Sequence, residues 1–141
     1  MKRQGRFDRR WLQGAFLRFL VVGVIATGVH YLVLIAAVEL AGQTAVVGSG
    51  IGFIVGAIVN YALNRSFTFR SSVSHGTAGS RFMLVMCGAW LLNQLLMHWF
   101  TVKLGLPYLL AQVLTTGVTL FWNFAGNALW SFAHPEHDAK P

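Results

Sequence analysis

Hydrophobic positions along this chain do not alternate with polar ones; they run in blocks. Lys, Arg, Asp and Glu occur in five places, residues 1–18, Glu39, residues 65–81, Lys103 and residues 136–141, leaving charge-free windows at 19–38, 40–64, 82–102 and 104–135. A stretch such as Phe19-Leu20-Val21-Val22-Gly23-Val24-Ile25-Ala26 is apolar around the whole circumference of a helix, as a segment surrounded by lipid should be. About 20 apolar residues cross a bilayer. The windows are 20, 25, 21 and 32 residues long, so each holds one crossing and none holds two with a turn. Backbone polar groups in hydrocarbon must be satisfied within their own segment, which makes the crossings helices. The pattern predicts spans over 18–39, 45–64, 82–102 and 107–131, that is, an all-α polytopic membrane protein.

Composition agrees with the pattern and excludes a soluble enzyme. The 141 residues are 55% hydrophobic and 11% charged, whereas soluble domains carry about 25% charged residues. Basic residues then set the orientation. Lys2, Arg3, Arg6, Arg9, Arg10 and Arg18 precede the first span, Arg65, Arg70 and Arg81 lie between the second and third, and Lys140 follows the fourth; the other two loops hold only Lys103. The positive-inside rule therefore puts both termini and the central loop in the cytosol. Clustered Lys and Arg can also mark nucleic-acid binding, but topology and attraction to anionic membrane lipids account for the net charge of +7, and no nucleic-acid partner is expected. The basic start and first apolar run resemble a signal peptide; the run is long for a cleaved signal, and the repeat below argues for its retention. The single Cys87 offers no disulfide framework and no cysteine metal cluster.

The chain also contains an internal repeat. At an offset of 63, Asn60-Tyr61-Ala62-Leu63-Asn64 falls on Asn123-Phe124-Ala125-Gly126-Asn127, Phe67 on Trp130, Phe69 on Phe132, and Arg18-Phe19 on Arg81-Phe82. Residues 18–69 and 81–132 share eleven identities without a gap. Each unit contains two spans, so the copies have the same orientation, a parallel repeat. The chain divides into a basic interfacial arm at 1–17, a first helical hairpin at 18–69, a cytosolic loop at 70–80, a second hairpin at 81–132 and a tail at 133–141. In the arm, Phe7, Trp11, Leu12, Ala15 and Phe16 among Arg6, Arg9 and Arg10 read as a helix on the inner leaflet, or as a docking surface for a cytosolic enzyme.

The repeat collects scattered polar residues at one depth. Asn60, Asn64, Asn123 and Asn127 approach the cytosolic headgroup level, where Arg18 and Arg81 open spans one and three and Arg65 closes span two. Asparagines four apart project from one helix face. Guanidinium groups supply charge-assisted donors to a phosphate and Asn amides add neutral ones, so these seven residues form a candidate site for an anionic lipid. Interfacial anchoring is the plain alternative for the arginines, and interhelical hydrogen bonding for the asparagines. Gly48, Gly52 and Gly56 lead to Asn60 on one row, a spacing that brings helices close. His30, Asn93 and Gln94 lie within spans and read as a proton relay or as hydrogen-bonded packing; His98 lies toward the outer interface. Asp8, Glu39, Glu136 and Asp138 sit in tails or at span ends, so no catalytic pair is available. His134, His137 and Asp138 belong to a solvated tail; no metal and no cofactor is expected.

At Arg18-Phe19-Leu20-Val21-Val22-Gly23 with Thr27, at Asn60-Tyr61-Ala62-Leu63-Asn64-Arg65-Ser66-Phe67-Thr68-Phe69, and from Asn123-Phe124 to Phe132, the chain resembles the GtrA-like family of small four-helix membrane proteins, over about residues 15–133. The resemblance implies a multi-pass protein of the bacterial inner membrane that handles polyprenyl-phosphate-linked sugars for cell-surface polysaccharide or O-antigen modification. Either it flips the lipid-linked sugar across the membrane, or it serves as a non-transporting accessory subunit of a membrane-associated glycosyltransferase. Ala128 stands where the first copy has Arg65, so the two halves are not equivalent. A small cation or drug exporter would need a carboxylate within a span, and Glu39 is at a span end. Four helices enclose little volume, which favours a homo-oligomer or a partner.

Overall fold

The computed structural model describes residues 9–64, 66 and 77–126, with the side chains at 11, 12, 15, 77–79, 81 and 82 outside that description. Four helices follow one another: α1 (Arg9–Ile35), α2 (Ala45–Leu63), α3 (Thr77–His98) and α4 (Tyr108–Gly126). Among the described residues there is no strand. Each helix is long and apolar enough to cross a membrane, through Phe16–Leu40, Ala45–Leu63, Met83–Lys103 and Tyr108–Gly126. The chain is an all-helical, multi-pass membrane protein. The apolar windows make it so, because an all-apolar helix has no polar face to turn to water.

The offset of 63 reappears in the backbone. Helices α2 and α4 begin and end 63 residues apart. Both α1 and α3 widen into a π-helical last turn, at Ala36–Leu40 and Trp99–Lys103. Each wide turn is closed by the same pair of bonds: Ala41 N donates to Ala36 O (3.2 Å) and Gln43 N to Ala37 O (2.9 Å), as Leu104 N does to Trp99 O (3.0 Å) and Leu106 N to Phe100 O (2.9 Å). Between those bonds lie Gly42 and Gly105, at φ 63° and 65°. That left-handed conformation favours glycine and reverses the chain at a helix end. The next helix starts at once, with Thr44 Oγ1 accepting from Val47 N at 3.3 Å, a side-chain cap on α2.

One difference from expectation falls at the N-terminus. Residues 9–17 continue α1 without a break, where an arm lying along the membrane surface is expected. No proline interrupts the segment, and Gly14 alone costs a helix only about 1 kcal/mol.

Packing is uneven between the halves. The Gly48, Gly52, Gly56 row lies against α1: a Cβ on Gly52 would meet His30 O at 2.5 Å, one on Gly56 would meet Ala26 O at 2.9 Å, and one on Gly48 would meet Ala37 Cβ at 3.1 Å. Helix α3 meets α4 through Trp122, whose indole N donates to Val85 O at 3.3 Å and whose ring fills the space beside Gly88. The apolar core consists of Val22, Ala26, Leu34, Val85, Ala89, Met97 and Ala111. No more than 28% of each spanning window is buried; most of the surface faces lipid.

Candidate functional site

The polar residues gather at two levels. Near the open ends of α1 and α2, Arg18 is exposed and borders a groove of about 250 Å³ with Leu17, Val21, Val22, Ile25 and Leu63. Leu63 ends α2, and Asn64 beside it donates from Nδ2 to Asn60 Oδ1 at 2.5 Å, the contact that residues four apart on a helix make. The structure thus places Arg18 at the same end as the Asn60–Asn64 pair. Asn123, the counterpart of Asn60, is half-buried on α4. Its Oδ1 is buried with no hydrogen-bond partner among the described residues. Arg81 belongs to α3, but its side chain, like Arg65 and Asn127 as a whole, lies outside the described residues. So do His134, His137, Asp138 and the start of the arm.

The second level lies toward Gly42 and Gly105. Ser49 and Gln112 occupy the second turn of α2 and of α4, 63 residues apart, and are hydrogen-bonded to each other, the Ser49 hydroxyl donating to Gln112 Oε1. Under a two-fold relation a residue touches its own counterpart only beside the axis, so the axis between the repeats passes here. Asn93 Nδ2 donates to Ser49 Oγ at 2.8 Å and to Gln94 Oε1 at 3.3 Å. Gln112 Nε2 donates to Asn93 Oδ1 at 3.2 Å and to Thr116 Oγ1 at 3.4 Å. The Thr116 hydroxyl is 2.8 Å from the hydroxyl of Tyr31. One hydrogen-bonded chain therefore runs through α3, α2, α4 and α1. Ser49 and Gln112 are 0% exposed and Asn93 1%, so the bonds among these three form where water is absent and an unmade bond is costly.

His30 is the counterpart of Asn93, and Tyr31 of Gln94. His30 is buried and edge-on to Tyr31 and Phe53, with ring centroids 5.7 and 5.9 Å away. Its Nε2 has no partner among the described residues. Of the three intramembrane residues singled out from sequence, Asn93 and Gln94 are thus joined in the network, and His30 is hydrogen-bonded to the backbone of Ser49 beside it with only its Nε2 left open. Sequence reasoning passed over Ser49, Gln112, Tyr31 and Thr116. The available signal was position rather than identity: 30/93, 31/94 and 49/112 are polar in both copies although no pair matches.

A polar row links the two levels. Gln112, Thr115, Thr119 and Asn123 are spaced by three and four and share one face of α4. The first three are buried. The same row on α2 reads Ser49, Gly52, Gly56 and Asn60. Where the first copy has glycines against α1, the second has hydroxyls, of which Thr119 Oγ1 donates to Thr116 O at 3.1 Å and Thr115 Oγ1 has no partner among the described residues.

Four spanning helices in two repeated hairpins, with an amide and hydroxyl interior, define a small multi-pass membrane protein organised around a neutral polar seam. The model of the family described as GtrA/DPMS, transmembrane domain, matches residues 18–132, and the chain belongs to that family. Membership connects it with the handling of lipid-linked sugars, in a family of generally non-catalytic membrane proteins. No curated protein and no solved structure matches the chain.

Proposed function

We propose that the protein translocates a polyprenyl-phosphate-linked sugar across the bacterial inner membrane, for cell-surface polysaccharide or O-antigen modification. The supporting observation is the polar row of α4, which runs from Asn123 to the buried layer at Gln112 and offers a sugar successive hydrogen-bonding groups through an otherwise apolar span. In this reading the lipid phosphate is held at the cytosolic end by Arg18, Arg65 and Arg81, with the amides of Asn60, Asn64, Asn123 and Asn127. Arginine matches a phosphate with paired charge-assisted donors. The polyprenyl tail stays in the bilayer, where the apolar groove beside Arg18 gives its first units a surface to lie on. A homo-oligomer or a partner supplies the volume that one four-helix bundle lacks.

The test is the change in sidedness of a labelled polyprenyl-phosphate sugar in vesicles containing the purified protein. Translocation should fall at least about tenfold in the double variant Arg65→Ala with Asn64→Ala, the loss expected from two charge-assisted or buried hydrogen bonds. Wild-type rates in that variant would remove these residues from the site.

The closed interior favours a second reading. Ser49, Gln112 and Thr115 are fully buried, so the described residues close the seam at that level. In that reading the bundle anchors or positions a polyprenyl-phosphate glycosyltransferase and moves nothing. Co-purification with such an enzyme, and loss of transferase activity without loss of lipid flipping when this chain is removed, would select it.

A further inference from the structure

Resting on the translocation reading, we infer that the layer around Ser49, Asn93 and Gln112 is a recognition site for an uncharged, hydroxyl-bearing sugar headgroup, with His30 and Tyr31 at its edge. Three observations carry this. First, the layer is built from both repeats at equivalent positions, so it lies where the repeats would part. The bonds Ser49 to Gln112, Asn93 to Ser49, and Tyr31 to Thr116 all cross between them, as does the one from the Trp90 indole N to Gly50 O at 3.1 Å.

Second, the side chains are those that match an alcohol. Ser, Thr and Tyr hydroxyls and Asn and Gln amides each donate and accept, as a sugar hydroxyl does, so headgroup hydroxyls can replace the inter-repeat bonds one for one and strand no buried polar atom. Among the described residues no Lys, Arg, Asp or Glu belongs to the layer; Glu39 and Lys103 lie in the π-helical turns at the ends of α1 and α3. A charged headgroup would lose its hydration there without a counter-ion.

Third, the layer is incompletely satisfied by its own residues. His30 is 9% exposed and Thr115 0%, yet His30 Nε2 and Thr115 Oγ1 have no partner among the described residues. Asn93, the counterpart of His30, makes two bonds to Ser49 and Gln112. Buried polar atoms left open beside a hydrogen-bonded layer are what a ligand with further hydroxyls would fill.

The experiment uses the full chain in phosphatidylethanolamine and phosphatidylglycerol vesicles, with equilibrium binding of three radiolabelled probes. These are polyprenyl phosphate alone, the same lipid carrying one neutral hexose, and the same lipid carrying one uronic acid. Wild-type protein is expected to bind the hexose lipid about tenfold more tightly than the bare lipid, the gain from one or two net hydrogen bonds, and the uronic-acid lipid no more tightly than the bare one. Gln112→Leu should bring the hexose preference close to one while leaving the bare-lipid Kd unchanged. Tyr31→Phe, which removes a single oxygen and preserves the packing, should lower the preference about threefold.

A preference unchanged in both variants, an equal weakening of both lipids, or a uronic-acid lipid bound as tightly as the hexose lipid would overturn the assignment. Transport in the same vesicles separates the two ideas. Hexose preference without movement ends translocation and leaves the site, whereas movement of bare and hexose lipids at equal rates and affinities ends the site and leaves translocation.

Discussion

Gly52→Ala tests the packing of α1 on α2. The added methyl would stand 2.5 Å from the His30 carbonyl oxygen and 2.7 Å from His30 Cδ2. Separations below 3.0 Å are not tolerated, so α1 must retreat by about half an ångström at this point. The obstacle is backbone, which cannot rotate away as a side-chain tip can. Overpacking of this kind costs about 1–3 kcal/mol, while replacing a mid-helix glycine by alanine returns about 1 kcal/mol of helix propensity. A net loss of up to about 2 kcal/mol is expected, lowering Tm by about 4–8 °C if the chain behaves as domains of similar size do. Gly117→Ala is the control, since nothing lies within 4 Å of its added methyl and only the propensity gain applies. Thermal unfolding of both variants in one detergent is the assay. Equal shifts in the two variants, or a Gly52→Ala protein more stable than wild type, would refute the claim that the glycine row sets the α1–α2 distance.

Other outcomes follow from the same geometry. Ser49→Ala leaves Gln112 Oε1 and one Asn93 bond unmade in a fully buried site; it should cost about 1–3 kcal/mol, whereas Tyr108→Phe, which breaks only the exposed 2.8 Å bond to Glu39, should stay within about 0.5 kcal/mol in parallel unfolding measurements. Gly42→Ala meets no atom within 4 Å but forces a side chain into φ 63°, so a loss of about 1–2 kcal/mol from backbone strain alone is expected, and Gly105→Ala should match it. In a Cys87→Ser background, Gln43→Cys and Leu104→Cys should react with a membrane-impermeant maleimide from the same face of the membrane, and Arg10→Cys from the other; reaction of the two loops from opposite faces would contradict a parallel repeat.

The helices were legible because each apolar window carries its own length. Residues 40–64 admit one crossing and no more, and α2 occupies Ala45–Leu63. The glycine row was legible too, because a spacing of four has one geometric consequence. The buried layer was not. Ser49 is hidden in sequence among Gly48, Gly50 and Gly52, and Gln112 and Thr115 look like isolated polar residues in an apolar run. Only contact across the axis gives them a common role, and contact between α2 and α4 is a tertiary fact that no local pattern encodes. The π-helical turns were also invisible. Ala36–Leu40 and Trp99–Lys103 share no residue at equivalent positions, yet both widen, because the glycine that follows each one fixes where the chain must reverse.

The same contrast shows that the two repeats differ in packing as well as in sequence. A two-fold bundle made of identical hairpins would have two equal seams. Here Gly52 and Gly56 bring the backbones of α1 and α2 into close approach along that row, which makes the first hairpin tight beyond the groove at its open end. Their counterparts Thr115 and Thr119 carry side chains and hydroxyls where the first copy has none, and both are buried. A threonine hydroxyl in hydrocarbon must find a partner or cost stability; Thr119 finds the carbonyl of its own helix and Thr115 finds none among the described residues. The first hairpin thus has the construction of a rigid support, and the second that of a surface with hydrogen-bonding capacity in reserve. That reserve is retained along one face of one helix, between a charged end and a neutral layer, the arrangement needed by a ligand that is anionic where it is anchored and hydroxylated beyond.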